Sequence, residues 1–362
     1  MLPSQIFKER LINVKNEMIN KGIDFFMVFN GLNIYYLTGF PRGRVLLLNV
    51  DKDPVLVVSE LEFDEAAETF KFGEIIPIKA NLSLTDTIAS VFNGLDRKGN
   101  VALERQYITM ELHSSLSKKL GIVDFIDLSN YILNLRSIKN PYEIELIKMA
   151  LKISEKSIKC GLDNFHEGMS EIELAGEIEY SMRKNGAFGY AFDSIVASGP
   201  RSAYPHGSAS SRIIERGDLV VIDIGAKYYG YCSDITRTIV IGSMNTDIKR
   251  IFEIIVEAID TAIDKLCAGV TGAEVDAVAR KVIENNDYGK YFTHSLGHGI
   301  GLAVHEEPGL NSRNNSPLRD GNIVTVEPGI YIKGFGGVRI EEMVLVRESK
   351  CELLNSLSRL LF

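Results

Sequence analysis

The sequence predicts two α/β domains in tandem, with the chemistry concentrated in the second. Three observations lead to this. The chain has 362 residues, and at roughly 150 residues per domain that length suggests two. Strand-length apolar runs alternate with amphipathic helical segments along most of it. A strongly capped helix opens at Asn140 after a weakly patterned stretch, so the domains are placed at residues 1–133 and 134–362. The composition, 45% hydrophobic, 24% charged and 9% aromatic, is that of a globular chain and excludes a disordered, collagenous or coiled-coil one.

In the first domain, Ile6 to Lys21 has helical spacing and stops at Gly22. Ile23 to Phe29 is a strand-length run. Val45 to Val50 and Pro54 to Ser59 flank Asp51-Lys52-Asp53 and read as a hairpin. Glu60 to Phe70 suits a helix, Ile75 to Ile78 a strand, Leu84 to Phe92 a helix, Val101 to Glu104 a strand and Glu111 to Leu120 a helix. No chemical motif stands out here.

The second domain opens on Asn140-Pro141-Tyr142-Glu143. Asn is a good N-cap, Pro suits the first turn, and Glu three residues after the cap completes a capping box. Ile144, Ile147, Leu151 and Ile158 keep one helix face. Ser170 to Glu173 and Thr271 to Glu274 repeat the box, and Asp247 to Leu266 is amphipathic with a stop at Gly269. The strand-like runs are Asp193 to Ala197, Leu219 to Gly225, Thr236 to Ile241, Ile323 to Glu327 and Val338 to Val346.

Charge and cysteine usage narrow the function classes. Forty Lys and Arg against 48 Asp and Glu give a net charge of −8 with no basic run, which argues against a dedicated nucleic-acid binder. Cys160, Cys232, Cys267 and Cys351 show neither zinc-ligand nor disulfide spacing and fit a reducing compartment. The start is charged and amphipathic, without a signal-peptide core, and no apolar stretch approaches the ~20 residues of a membrane span. The expectation is a cytoplasmic protein with no nucleic-acid or membrane partner.

Unusual polar residues mark the second domain. Leu219-Val220-Val221-Ile222-Asp223-Ile224-Gly225 embeds a carboxylate in an apolar strand, and Ser233-Asp234-Ile235-Thr236-Arg237 supplies another eleven residues later. A turn at Tyr228 to Gly230 would let the two strands pair and bring both carboxylates to one face. Two such charges ~4 Å apart repel by about 4 kcal/mol at an effective dielectric of 20, so something must neutralise them. Arg237 or Arg216 would do so in a purely structural site. Downstream, His294-Ser295-Leu296-Gly297-His298-Gly299 places two histidines among glycines, without the G-x-G-x-x-G or P-loop pattern of a nucleotide site. Glu327 ends an apolar strand, and Glu341 follows Gly337-Val338-Arg339-Ile340. Carboxylates with one imidazole suit hard or borderline divalent metals, and five such ligands suit two metals sharing carboxylates.

Asp223, Asp234, His298, Glu327 and Glu341 lie 11, 64, 29 and 14 residues apart, in the words IDIGA, SDITRT, GHGIGL, VEPGIYI and GGVRIEE. This set resembles the ligand signature of the pita-bread metallopeptidases, among them methionine aminopeptidase, aminopeptidase P and prolidase. The likeness covers about residues 135–362, and the preceding α/β unit resembles the N-terminal domain of the creatinase, prolidase and aminopeptidase P branch. The resemblance implies a creatinase-like α/β domain followed by a pita-bread catalytic domain. It implies two divalent metals per subunit, Mn or Co first, with Zn or Fe as alternatives. Asp223 would bind one metal through both oxygens, Asp234 and Glu341 would bridge, and His298 and Glu327 would complete the other site. His206, in Tyr204-Pro205-His206-Gly207, and His305, in Val304-His305-Glu306-Glu307-Pro308, match the substrate-binding and transition-state-stabilising histidines. Glu327 matches the proton shuttle. Arg339 resembles an outer partner orienting a ligand carboxylate, and His294 is an outer partner or a structural residue. His113 and His166 match nothing and read as structural.

The N-terminal domain favours cleavage before proline over a methionine aminopeptidase. All five ligands are present, unlike in creatinase or the non-catalytic binding and chaperone relatives. The expectation is a metal-dependent exopeptidase cleaving Xaa-Pro dipeptides or short peptides, with aminopeptidase P as the alternative and an inactive binding module as a third reading. Some prolidases carry Arg just after the H-E-x-P segment; here that position is Gly309, with Arg313 further on. A homodimer is implied by the family.

Overall fold

The apolar runs of the first domain pair into one mixed sheet. The structure, a computed structural model, describes residues 2–95 and 99–361, and it divides into two units between Arg136 and Ser137. In the first unit the strands are β1 Phe25–Val28, β2 Val45–Asn49, β3 Val55–Ser59, β4 Glu74–Ile78, β5 Val101–Leu103 and β6 Ile126–Asp127, in the order β4-β3-β2-β1-β5-β6. The hairpin around Asp51 to Asp53 forms with Val45 opposite Val57. The parallel neighbours β3/β4, β1/β5 and β5/β6 need crossovers. Helices α1 Ser4–Asn20, α2 Gly31–Thr38, α3 Phe63–Thr69, α4 Leu84–Asn93, α5 Met110–Leu120 and α6 Ser129–Ser137 occupy the connections and flanks. Phe25, Met27, Val45, Leu47 and Val57 pack with Ile88 and Phe92 of α4 and Leu116 of α5. The expected Glu60–Phe70 helix opens with a 3₁₀ turn, Glu60–Glu62, before α3. Helix α2 was not visible in the pattern, because LNIYYLT has strand-like composition. It forms where the Asn30 side chain accepts from the Leu32 and Asn33 amides and Gly39 ends it at φ +77°.

In the second unit the three capping boxes form. Asn140 starts α7 Pro141–Asp163, Ser170 starts α8 Glu171–Lys184, and Thr271 starts α10 Gly272–Asn285. Helix α9, Thr246–Lys265, is capped by Asn245. Ile251, Ile255 and Ile259 of α9 and Val275, Ala279 and Ile283 of α10 share a core with Val324, Val326, Val338 and Val344. That core backs the strands that carry the site.

The strands are β7 Gly189–Tyr190, β8 Ile195–Ser198, β9 Leu219–Ile224, β10 Ala226–Tyr228, β11 Tyr231–Cys232, β12 Ile235–Val240, β13 Gly297–Gly299, β14 Glu306–Leu310, β15 Ile323–Val326, β16 Gly329–Ile332, β17 Gly336–Arg339, β18 Glu342–Leu345 and β19 Glu352–Leu353. They form sheets β12-β9-β8, β11-β10-β7, β14-β13-β15-β18-β19 and β16-β17. The run Val338–Val346, expected as one strand, is two. Strand β17 pairs with β16, β18 pairs with β15 and β19, and the chain changes sheets at Ile340-Glu341. The segment 356–359 is pinned from two sides. Glu155 on α7 accepts from the Ser356 and Leu357 amides, and the buried Arg237 donates to the Leu357 and Ser358 carbonyls.

Asn140→Ala should cost about 1 kcal/mol, the typical worth of such a cap, read as a lower urea midpoint, while Asn140→Asp should stay near wild type. The Ser170 and Thr271 amides hydrogen-bond Glu173 and Glu274 and hold both carboxyls below their ordinary value of 4.5. Their folded pKa lies below the unfolded one, so their stabilisation is present above about 4.5 and is lost as pH falls through the folded value. Glu173→Gln with Glu274→Gln should therefore lower the neutral-pH midpoint and flatten its fall on acidification, measured by urea unfolding from pH 7 to 3.

Candidate metal centre

Strand pairing brings the four carboxylates together twice over. In β9/β12, Asp223 lies opposite Thr236 and Ile224 opposite Ile235, so Asp234 sits just past the last pair. Between them, β10 and β11 form a separate hairpin whose turn residues Tyr229 and Gly230 have φ of 45° and 83°, as tight hairpin turns require. In β15/β18 the last pair is Val326 with Glu342, so Glu327 and Glu341 both step off the same end. The Glu341 amide donates to the Thr236 carbonyl at 3.1 Å and joins the two strand pairs.

His298 reaches this cluster from β13. Its neighbours must be glycines for β13 to pass so close. A side chain on Gly297 would put Cβ 1.9 Å from the Thr325 carbonyl oxygen, and one on Gly299 would meet the Glu307 backbone at 2.5 Å. Asp234, His298 and Glu341 each offer a ligand atom, all within 4.8 Å of one another. His298 Nε2 lies 3.5 Å from Asp234 Oδ2 and 3.3 Å from Glu327 Oε1. Asp223 lies in the same cleft with its Oδ2 accepting from Arg339 Nη2 at 2.7 Å. Neither Arg216 nor Arg237, the candidates for a purely structural salt bridge to the aspartates, forms one among the described residues. Arg237 points to the other side of its strand, bonding the Glu341 carbonyl and pairing with Glu342.

The cleft has a volume of about 280 Å³. His206, His294 and His305 line it with Phe192 and Ile195. The His305 ring stands edge-on to His298 at 4.2 Å between centroids. His294 accepts or donates through Nε2 to the Tyr331 hydroxyl at 3.0 Å. Tyr331 in turn accepts from Arg339 Nη1 at 2.7 Å. All nine residues singled out from the sequence thus belong to one cluster. His113 packs against Phe125, and His166 is an exposed residue.

The electrostatics are those of a site built for cations. Burial, then the charges of neighbouring carboxylates, pushes the Asp234 and Glu341 carboxyls well above the usual range. Asp223 is also raised by burial, which Arg339 only partly offsets. Burial alone would raise Glu327, but the hydrogen bond and charge of His298, with Arg339 beyond, hold it below. His298 is raised correspondingly: burial opposes its charge, and Glu327 outweighs burial. Four carboxylates against one guanidinium and one imidazole leave excess negative charge among buried groups, and Asp223 Oδ1 and Glu341 Oε1 are buried with no hydrogen-bond partner among the described residues. A buried acceptor left unpaired is costly, and oxygen-rich donors of this kind are what a hard or borderline divalent cation takes. The residues fit a metal.

Three contributors were missed in the sequence. Thr236 Oγ1 donates to Glu341 Oε2 at 2.9 Å, Thr325 Oγ1 accepts from the His298 amide, and Tyr331 ties His294 to Arg339. Strand alternation places Thr236 opposite Asp223 once the register is known, but nothing local signals Tyr331.

Residues 145–348 match metallopeptidase family M24, and residues 10–138 match the creatinase/prolidase N-terminal domain. The chain belongs to metallopeptidase family M24. It is 39% identical over 353 residues to a Xaa-Pro dipeptidase of Pyrococcus furiosus, covering 97% of this chain and 99% of that one. Among solved structures it is similar to a Xaa-Pro dipeptidase from Bacillus anthracis, with a TM-score of 0.92 and 37% identity over 98% of this chain and 100% of that one. It is as similar to an X-Pro aminopeptidase from Thermotoga maritima, with a TM-score of 0.91 and 39% identity over 97% of this chain and 99% of that one. The fold is the two-domain creatinase/pita-bread architecture of these enzymes. Among the described residues, no helix is long and apolar enough to cross a membrane.

Asp234→Asn and Glu341→Gln should each lower the metal retained after gel filtration, measured by plasma mass spectrometry. Each should also shrink the stabilisation on adding Mn²⁺, read as a smaller rise in unfolding temperature; for a site held at 100 times its Kd that stabilisation is about 2.7 kcal/mol.

Proposed function

We propose that this M24 peptidase hydrolyses the Xaa-Pro bond of dipeptides and short peptides, using two divalent metals held by Asp223, Asp234, His298, Glu327 and Glu341. The observation that carries the reading is the convergence of Asp234, His298 and Glu341 ligand atoms within 4.8 Å. Around them, in a small cleft, stand Glu327, Asp223 and two further histidines. The ligand chemistry favours Mn or Co and admits Zn or Fe. Bound there, such ions supply Lewis acidity and a water acidified toward neutrality.

The chain's own groups do the rest. Glu327 is the least buried of the four carboxylates, and it takes the proton from the attacking water and delivers it to the leaving nitrogen. His305 and His206, both exposed at the cleft, donate to the substrate, His305 to the oxygen that gains charge as the carbonyl is attacked. Arg339 holds Asp223 and, through Tyr331, His294, so that the ligand carboxylate keeps one orientation.

The dipeptidase reading follows the Xaa-Pro dipeptidases of P. furiosus and B. anthracis. The equally similar Thermotoga maritima enzyme, and Gly309 where an Arg would hold a terminal carboxylate, support aminopeptidase P as the second reading. A cytoplasmic homodimer is part of the proposal, by resemblance to the family.

Chelator-stripped protein should be inactive and recover on adding Mn²⁺ or Co²⁺. Assayed on an Xaa-Pro dipeptide, an Xaa-Pro-Yaa tripeptide and Met-Ala-Ser, it should cleave the dipeptide. Cleavage of the tripeptide instead makes it an aminopeptidase P, and cleavage of Met-Ala-Ser a methionine aminopeptidase. No cleavage and no bound metal would leave a binding module.

A further inference from the structure

The segment between β13 and β14 carries His305 but has no helix or strand of its own between Ile300 and His305. Among the described residues no hydrogen bond reaches the His305 ring; it has the edge contact with His298. What places the ring is its backbone, and the nearest anchor is the next residue. Glu306 Oε1 lies 2.8 Å from Lys139 Nζ, with the two side chains 7% and 1% exposed. Burying both charges carries a desolvation penalty that their attraction often fails to exceed, so an apolar pair of similar size would stabilise the fold as well. The pair is thus weak evidence for stability, and what it fixes is the place of Glu306 against Lys139.

The lysine stands on a rigid base. Its Nζ also donates to the Ser137 carbonyl at 3.2 Å, and its amide donates to the Gly321 carbonyl at 2.8 Å. The Ser137 carbonyl further accepts from Asn322 Nδ2 at 2.8 Å. Asn322 directly precedes β15, the strand that delivers Glu327. Lys139 is thus fixed to the framework that fixes Glu327. On the other side, Glu306 Oε2 accepts from the Ala303 amide at 3.4 Å. Gly301 leaves the room the pair needs: a Cβ there would lie 2.4 Å from Glu306 Oε1 and 3.0 Å from Lys139 Cε.

We propose that the buried Lys139–Glu306 pair sets the position of His305 relative to Glu327 and His298, so that Lys139 and Glu306 are positioning residues for the hydrolysis. Both roles rest on His305 acting at the scissile carbonyl, as proposed above. A displacement of ~1 Å in a catalytic group can cost ~100-fold in rate. Loss of the pair should therefore appear in kcat, with KM, metal content and fold nearly unchanged.

The test replaces both charges at once, Lys139→Met with Glu306→Leu, to avoid leaving one charge buried alone. Unfolding temperature, bound metal, kcat and KM on an Xaa-Pro dipeptide are measured with His305 present and again in His305→Ala. The expected result is a stable, metal-loaded protein whose kcat falls about 10- to 100-fold. In His305→Ala the same replacement should cost less than about twofold, since a shared pathway makes the losses non-additive. An unchanged kcat with His305 present, or an equal loss in both backgrounds, overturns the proposal. If His305→Ala itself leaves kcat unchanged, the reading of His305 fails instead, which the same data distinguish. Should the double replacement unfold, Glu306→Gln, which keeps an acceptor oxygen for Lys139, is compared with Glu306→Leu. Gln should retain most of kcat and Leu should not; equal losses overturn the proposal.

Discussion

Repulsion among four carboxylates is the constraint around which the second unit is built. Asp223, Asp234, Glu327 and Glu341 would spread apart in a free chain, and burial makes their crowding worse. The strand registers oppose that. Each acidic pair sits at or just beyond the end of an antiparallel pair of strands, and the Glu341 amide bonded to the Thr236 carbonyl locks the two pairs to each other. The helical core of α9 and α10 behind β15 and β18 supplies the apolar burial that holds those registers. The fold spends its regularity on keeping like charges close, which is the arrangement that favours a divalent cation over water.

One guanidinium coordinates the polar framework around this cluster. Arg339 contacts Asp223, Thr236, Tyr331 and the Pro205 carbonyl. The last of these is the residue before His206, and Tyr331 leads to His294. A planar, always-charged fork with several donors can serve four acceptors in fixed directions, which a lysine could not. The orientation of Asp223 and the positions of two cleft histidines are therefore linked through a single side chain.

How much of this the sequence disclosed follows from the range of each interaction. Helix starts at Asn140, Ser170 and Thr271 are local codes of four residues, and they form as expected. Asp223, Asp234, His298, Glu327 and Glu341 stand out in the sequence because each sits in its own short word, and the structure brings them together. Three features depended on partners far along the chain and were not legible. The strand through Val338–Val346 breaks because its halves pair with different neighbours. Arg237 does not pair with the aspartates, because strand alternation turns it toward Glu342 and the segment 356–359, whereas Arg339 beside Asp223 is the partner the sequence does single out. Lys139 and Glu306 look like ordinary surface charges until the loop closes over them. Helix α2 escaped for the opposite reason, since its caps overrule a composition that suits a strand.

The anchorage of residues 356–359 bears on the order in which the protein comes into being. Glu155 grips Ser356 across 201 positions of chain, and Arg237, which grips Leu357 and Ser358, also holds the Glu341 carbonyl. Contacts of such separation form late and slowly. During synthesis the strands bearing Asp223 and Asp234 emerge long before the segment that completes the enclosure of Arg237. Until that segment is present, Arg237 lacks its Leu357 and Ser358 carbonyl acceptors. Enclosure of Arg237, which holds the Glu341 carbonyl, therefore waits on residues 356–359, and a chain cut short before Ser356 would leave that guanidinium without its Leu357 and Ser358 acceptors.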